Sequence, residues 1–186
     1  MLISDDEQYI DKARFWSTQA RDKAPWYEHT EIGYNYRMSN ILAAIGRGQM
    51  LHLEERINRR RSIYQTYKQE LEKIPGIKLM PETPKCRSIQ WLTAVTVDKE
   101  TTGKTFMDVI NYLNDMNIES RPVWKPMHLQ PYFMERNAKY FPHGEGDDAS
   151  VSDRLFNTGI CLPSASAMTD AEQECVIEAV KEAIAR

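Results

Sequence analysis

The run Gly33-Tyr34-Asn35-Tyr36-Arg37-Met38-Ser39-Asn40 gathers a carboxamide, a guanidinium and two phenols just ahead of an apolar stretch rich in alanine and glycine. A loop that ends at a helix N-terminus presents unpaired amides and the positive end of the helix dipole, so it suits an anion such as a phosphate. The same residues also fit a purely structural role, with Ser39 capping the helix and the tyrosines packing. A second cluster runs Arg121-Pro122-Val123-Trp124-Lys125-Pro126-Met127-His128-Leu129-Gln130-Pro131-Tyr132. Prolines on both sides of Trp124 stiffen a loop that carries an imidazole, an indole and cationic groups. Such a loop suits a polar ligand with a flat ring; the plainer alternative is a packed or surface histidine.

Other chemistries find little support. The sequence contains no G-x-S-x-G and no H-E-x-x-H, and His29, His52, His128 and His143 are scattered. No metal site is expected. Gly144-Glu145-Gly146-Asp147-Asp148 lacks the repeated ligand spacing of a calcium loop and reads as a mobile surface loop. Cys86, Cys161 and Cys175 are odd in number and far apart, which argues against a disulfide framework and for a reducing cytoplasm. A net charge of -3 argues against a general polyanion binder, so no nucleic-acid partner is expected. The basic run Arg56, Arg59, Arg60 and Arg61 reads as a solvated helix face. No apolar run approaches the ~20 residues of a membrane span, and the acidic N-terminus is unlike a signal peptide.

The elements that must position these clusters follow from pattern. Strand-like Met1-Leu2-Ile3 leads into Ser4-Asp5-Asp6-Glu7, a capping box that predicts a helix to about Ala20. A chain opening directly in a strand without upstream neighbours points to truncation. Residues 22–37 read as loop. From Ser39 to Ile74 the period is helical, and as one helix it would be about 54 Å long. Hence either it bends near Gly46 and Gly48, whose smallness suggests helix packing or a subunit contact, or it crosses between domains. The boundary is placed near Arg59, giving 1–58 as a largely helical segment and 59–186 as a small α/β sandwich domain. After Pro75-Gly76 come strands at 77–80, 89–97 and 118–121, a helix at 104–116, a Pro- and aromatic-rich loop at 122–142 and a short helix ending at Gly159. A strand at 160–162 precedes a closing helix capped by Thr169 and Glu172, with Val176, Val180 and Ile184 inward.

The motif G-Y-N-Y-R-M-S-N-I-L-A-A-I-G-R-G-Q, together with R-P-V-W-K-P-M-H-L-Q-P-Y and C-L-P-S-A-S-A-M-T, resembles the signatures of the DegT/DnrJ/EryC1/StrS sugar aminotransferases. In order and spacing the resemblance covers the whole chain. It implies the C-terminal part of a fold-type-I, pyridoxal-5'-phosphate-dependent enzyme: a remnant of the large cofactor domain followed by the small α/β domain. The implied activity is transfer of an amino group from an amino acid, glutamate being the expected donor, to a keto-deoxy nucleotide sugar in surface polysaccharide or glycan synthesis. The family's cofactor lysine lies upstream of a segment similar to Met1-Leu2-Ile3-Ser4, so this chain is expected to lack it and to be inactive alone. By resemblance Asn35 would reach the cofactor phosphate of a neighbouring subunit in a homodimer, and Arg37, Arg121, Trp124 and His128 would contact the nucleotide sugar. The alternatives are a non-catalytic fragment that folds, dimerises or binds a nucleotide sugar, and a sugar dehydratase that uses histidine in place of the lysine.

Overall fold

The computed structural model describes residues 2–133 and 150–186; the 144–148 run, His143 and the end of the Pro-rich loop lie outside them. The chain divides into two compact units, Met1–Leu53 and Glu54–Arg186, so the division falls ahead of Arg59.

In the first unit, residues 2–4 join no strand. Helix α1 spans Glu7–Ser17, and its N-cap is Asp6, which accepts from the Gln8 amide at 2.9 Å. Ser4 accepts from the Asp6 amide at 3.1 Å instead of closing a box with Glu7. The helix stops short of Ala20 because Gln19 and Ala20 take φ of 70° and 49°, outside helical space. The backbone of 34–36 then returns alongside this end: Tyr34 donates to Trp16, Gln19 to Tyr34 and Tyr36 to Ser17, at 2.7 to 3.0 Å. A Cβ at Gly33 would collide with the Ala20 backbone, so the return requires glycine.

Helix α2, Asn40–Met50, is capped by Ser39, which accepts from the Leu42 amide at 3.3 Å. The expected single long helix is in fact two, since α3 begins afresh at Leu53 and runs to Leu71. The break sits at Leu51-His52, where amides bond three residues back to Gly48 and Gln49, tightening the last turn. Gly46 and Gly48 stay inside α2, and no described atom comes within 4 Å of a Cβ placed on either.

The second unit holds the core. Along α3, Ile63, Tyr64, Tyr67 and Leu71 are buried. At Gly76, φ is 87° and a Cβ would meet Thr102 at 2.6 Å, so glycine makes the turn into β1, Ile77–Leu79. Strands β2 (Thr93–Val97), β3 (Arg121–Pro122) and β4 (Gly159–Leu162) complete a fully antiparallel sheet in the order β1-β2-β4-β3. Strand β2 starts at Thr93 and not Ile89, because Gln90 has a φ of 52° that no strand accommodates. β3 is shorter than the 118–121 strand expected.

Three helices supply the other layer: α3, α5 (Phe106–Asp115) and α7 (Asp170–Ala185). Both α5 and α7 open with complete capping boxes, Thr105 with Asp108 and Thr169 with Glu172. Val109, Ile110 and Leu113 of α5 meet Val176, Ile177 and Val180 of α7 in one cluster with Val95, Val97, Ile160 and Leu162 of the sheet. A short α4 (Lys99–Thr102), not foreseen, and α6 (Val151–Thr158) fill the connections.

The basic run of α3 is not a solvated face. Arg56 reaches Ser166 at 3.4 Å, and Arg59 donates to the Met168 carbonyl at 2.5 Å and pairs with Asp170 at 2.9 Å. Arg60 donates to the carbonyls of Trp91 and Ser164, and Arg61 to Glu82 and the Ser88 carbonyl. Each guanidinium offers five donors in a fixed fork, so one helix can pin two separate loops.

Candidate functional site

The two sequence clusters lie in different units. In the first, the return of 34–36 along the end of α1 leaves Asn35 exposed in an extended segment just before Ser39 and α2. Its backbone bridges Thr18, while its carboxamide makes no hydrogen bond with a described residue. Tyr34 and Tyr36 stack on each other at 5.2 Å between ring centroids, with planes 10° apart, flanking that amide on the chain. Arg37 is exposed and likewise bonds no described residue. An unengaged amide and a guanidinium ahead of a Ser-capped helix start can receive an anion.

In the second unit, a cavity of about 1180 Å³ opens beside the β3 edge, lined by Arg121, Trp124 and Lys125 and by Trp91, Cys161 and Cys175. Trp91 and Trp124 stack at 6.1 Å with planes 27° apart, and both indoles remain more than half exposed. Arg121 is engaged by Glu119 at 2.5 and 2.9 Å in a surface pair, and an exposed pair of this kind contributes about 1 kcal/mol at most. The three cysteines are free thiols. Burial pushes the Cys161 thiol's pKa up, so it lines the cavity as an apolar group.

His128 stands apart from the other members of its cluster. It lies in the 3-10 turn Met127–Leu129, and its Nε2 is 2.6 Å from Asp153 Oδ1 on α6. Only 12 % of the imidazole and 9 % of the carboxylate are exposed. Burial pushes the Asp153 pKa up, but hydrogen bonds from Ser150 and His128 outweigh it and hold the carboxyl below its ordinary range. The pair ties the turn to α6.

Sequence reasoning missed Trp91 and Asp153 and placed Arg60 on a solvated face. Each is defined by a partner 25 to 104 residues away, as in His128 with Asp153 and Arg60 with Ser164, and no local pattern announces such a pairing. No group of three or more His, Cys, Asp or Glu that could hold a metal occurs among the described residues. No described helix is long and apolar enough to cross a membrane.

Comparison with known proteins places this geometry. The model of the DegT/DnrJ/EryC1/StrS aminotransferase family matches residues 1–181. EpsN of Bacillus subtilis is 47 % identical over 178 residues, which are 96 % of this chain and 44 % of EpsN. The GDP-perosamine synthase of Caulobacter vibrioides is 29 % identical over 185 residues, covering 99 % of this chain and 47 % of that protein. The spore coat polysaccharide biosynthesis protein SpsC of B. subtilis is 30 % identical over 195 residues, with 99 % and 49 % covered. The chain thus spans about half the length of these relatives. Among solved structures, the aminotransferase TlmJ of Streptoalloteichus hindustanus superposes with a TM-score of 0.80 at 23 % identity, over 97 % of this chain and 46 % of TlmJ. DesI, solved in the presence of its TDP-sugar product, superposes with a TM-score of 0.79 at 22 % identity, over 99 % and 45 %. The fold is accordingly that of part of a fold-type-I aminotransferase, and the chain belongs to the DegT/DnrJ/EryC1/StrS family of pyridoxal-phosphate-dependent aminotransferases.

Proposed function

We propose that this chain is the C-terminal portion of an enzyme that moves an amino group from an amino acid, glutamate by preference, to a keto-deoxy nucleotide sugar in polysaccharide or glycan synthesis. The observation that carries the reading is the family match across residues 1–181, in which the exposed Asn35, whose carboxamide bonds no described residue, falls within the G-Y-N-Y-R motif. Pyridoxal phosphate, when bound, supplies the electron sink for amino transfer. The residues present suit its phosphate end alone. No lysine of this chain stands in a segment that matches the family's lysine motif, and in this reading the reactive lysine is carried by polypeptide outside this chain.

In this reading Asn35 donates its amide N–H to a phosphate oxygen of the cofactor in a partner subunit of a homodimer. Arg37, next but one on the loop, orients that anion or meets the substrate. Arg121 and Trp124 face the nucleotide part of the sugar substrate across the cavity of the second unit. His128, held by Asp153, sets the depth of the loop that carries them. Placement of this kind brings reactants into line and excludes water without any of these groups taking a proton.

The test uses the chain restored within a full-length family enzyme and assayed with a keto-sugar nucleotide and glutamate. Asn35→Ala removes one hydrogen bond to a charged group, about 1.5 to 3 kcal/mol, and cofactor affinity should fall by roughly one to two orders of magnitude. Mixed dimers of Asn35→Ala chains with lysine-deficient chains should recover part of the activity, since one of their two sites is intact. Hybrids that form yet stay inactive, with cofactor binding by Asn35→Ala unchanged, would remove the assignment. A second reading, a fragment that folds and binds a nucleotide sugar without turnover, draws on the self-contained core of the second unit. Turnover by the isolated chain would exclude it.

A further inference from the structure

The walls of the second unit's cavity are held with unequal care. Trp124 sits on a loop stiffened by Pro122 and Pro126, whereas Trp91 is anchored by buried machinery. Gln90, directly before it, has a φ of 52° although it is not glycine, and it is 1 % exposed. Both polar atoms of its side chain are buried without a hydrogen-bond partner among the described residues. Arg60 of α3 donates to the Trp91 carbonyl and, at 3.1 Å, to the Ser164 carbonyl. Ser164 in turn accepts from the Thr93 amide at 2.9 Å, closing the bracket around 90–93. Strained backbone and unsatisfied buried polar groups persist where surrounding structure over-determines them, and they concentrate at ligand clamps. Here the bracket supports an indole that is 58 % exposed and contributes little to the core.

The indole meets Trp124, itself 66 % exposed, in an offset stack, which leaves an aromatic face open toward the cavity. A separation of 6.1 Å is too small to admit a third ring between them, so a planar ligand would lie on the pair and not inside it. Lys125, next to Trp124, lines the same cavity, is exposed and makes no side-chain bond with a described residue. A flat aromatic platform beside a cation is the recognition chemistry of a base joined to a phosphate. The cavity, about 1180 Å³, is large enough for such a molecule.

We infer that Trp91 and Trp124 form a stacking platform for the base of a nucleoside diphosphate, with Lys125 at its phosphates and Arg60 as the residue that positions Trp91. This deepens the nucleotide-sugar reading above and rests on it. Trp91 becomes a nucleotide-binding residue that no sequence motif had singled out. Because every base has a stacking face, the platform tolerates either a purine or a pyrimidine, and selection among sugars falls to other residues.

The test titrates the intact 186-residue chain with UDP and GDP, following tryptophan emission in a Trp16→Phe, Trp26→Phe background and heat by calorimetry. Trp91→Ala and Trp124→Ala are each expected to weaken both nucleotides about tenfold to a hundredfold, and Trp91→Phe to restore affinity to within a few fold. Arg60→Ala should weaken binding while leaving the far-ultraviolet circular dichroism unchanged. Lys125→Gln should weaken UDP more than uridine. Alanine variants that bind like the starting protein, a chain that binds neither nucleotide, or pyrophosphate that competes as well as UDP would each overturn the inference. Unaltered binding in the variants would remove the platform and leave the transamination test of the restored enzyme standing. Absent turnover there, with this binding pattern intact, would do the reverse.

Discussion

The two units of this chain are built by the same rules of capping and turn chemistry but differ in what they bury. Among the described residues of Met1–Leu53 only Ala20 is buried, and neither α1 nor α2 contributes a single buried side chain. Ile41, Leu42 and Ile45 of α2 are 74 %, 59 % and 57 % exposed, although their spacing is that of an inward-facing stripe. In Glu54–Arg186, by contrast, three helices and three of the four strands converge on one cluster. Local signals thus suffice to start and stop a helix. They do not stabilise it, since tertiary burial supplies most of the free energy that an 11-residue helix needs in water.

The largest consequence is in hydrogen exchange. Core amides of Ile63–Leu71 and Val95–Val97 should exchange on the order of a thousandfold or more slowly than those of Tyr9–Ser17 and Ala43–Met50, as protection follows buried contact. Equal protection in a monomer would erase the contrast between the units. Next in size is a pair of truncations read by chemical denaturation. Leu71→Ala, at a fully buried position, should cost about 2 to 5 kcal/mol, whereas Ile45→Ala should stay within about 0.5 kcal/mol. A comparable cost at Ile45 would mean that α2 is packed in solution.

Caps give a smaller and more selective probe. Thr105→Ala removes a complete capping box from a helix with a buried face and should cost about 1 kcal/mol of global stability. Ser39→Ala removes the single N-cap bond of α2 and should lower only local helicity, leaving the unfolding midpoint in place.

The smallest effect is on acid sensitivity. Hydrogen bonds from Thr105 hold Asp108 below its ordinary carboxylate value, and those from Thr169 do the same for Glu172. A depressed folded-state pKa stabilises the protein above the unfolded value, and the contribution is lost as pH falls through the folded one. Acid unfolding should therefore begin below the normal carboxylate range, and Asp108→Asn with Glu172→Gln should flatten the pH dependence there. Most such carboxylates belong to the second unit, including Glu70, Glu82, Asp98 and Asp153, while Glu31 is the first unit's example. Acid titration should accordingly perturb the second unit more.

Much of the architecture was legible from the chain because its causes are local. Thr169 with Glu172, Ser39 before a helical period, Pro75-Gly76 and the alternating residues of β2 each announce an element within a few positions. The motifs around Asn35 and His128 likewise carried the family before any coordinate was known. Other features were decided only by the tertiary structure. A helical period from Ser39 to Ile74 reads the same whether or not the helix breaks, and only the structure shows the break at Leu51-His52. The charge of Arg56, Arg59, Arg60 and Arg61 is consistent with a solvated face until the loops at 82–91 and 164–170 arrive to accept their hydrogen bonds. His128 has no meaning as a half-buried, paired group without Asp153, nor Trp91 as a cavity wall without Trp124. Propensity and capping act over one helical turn and are written in adjacent residues, whereas pairing across 25 or 104 residues exists only once the sheet and helices have brought distant segments together.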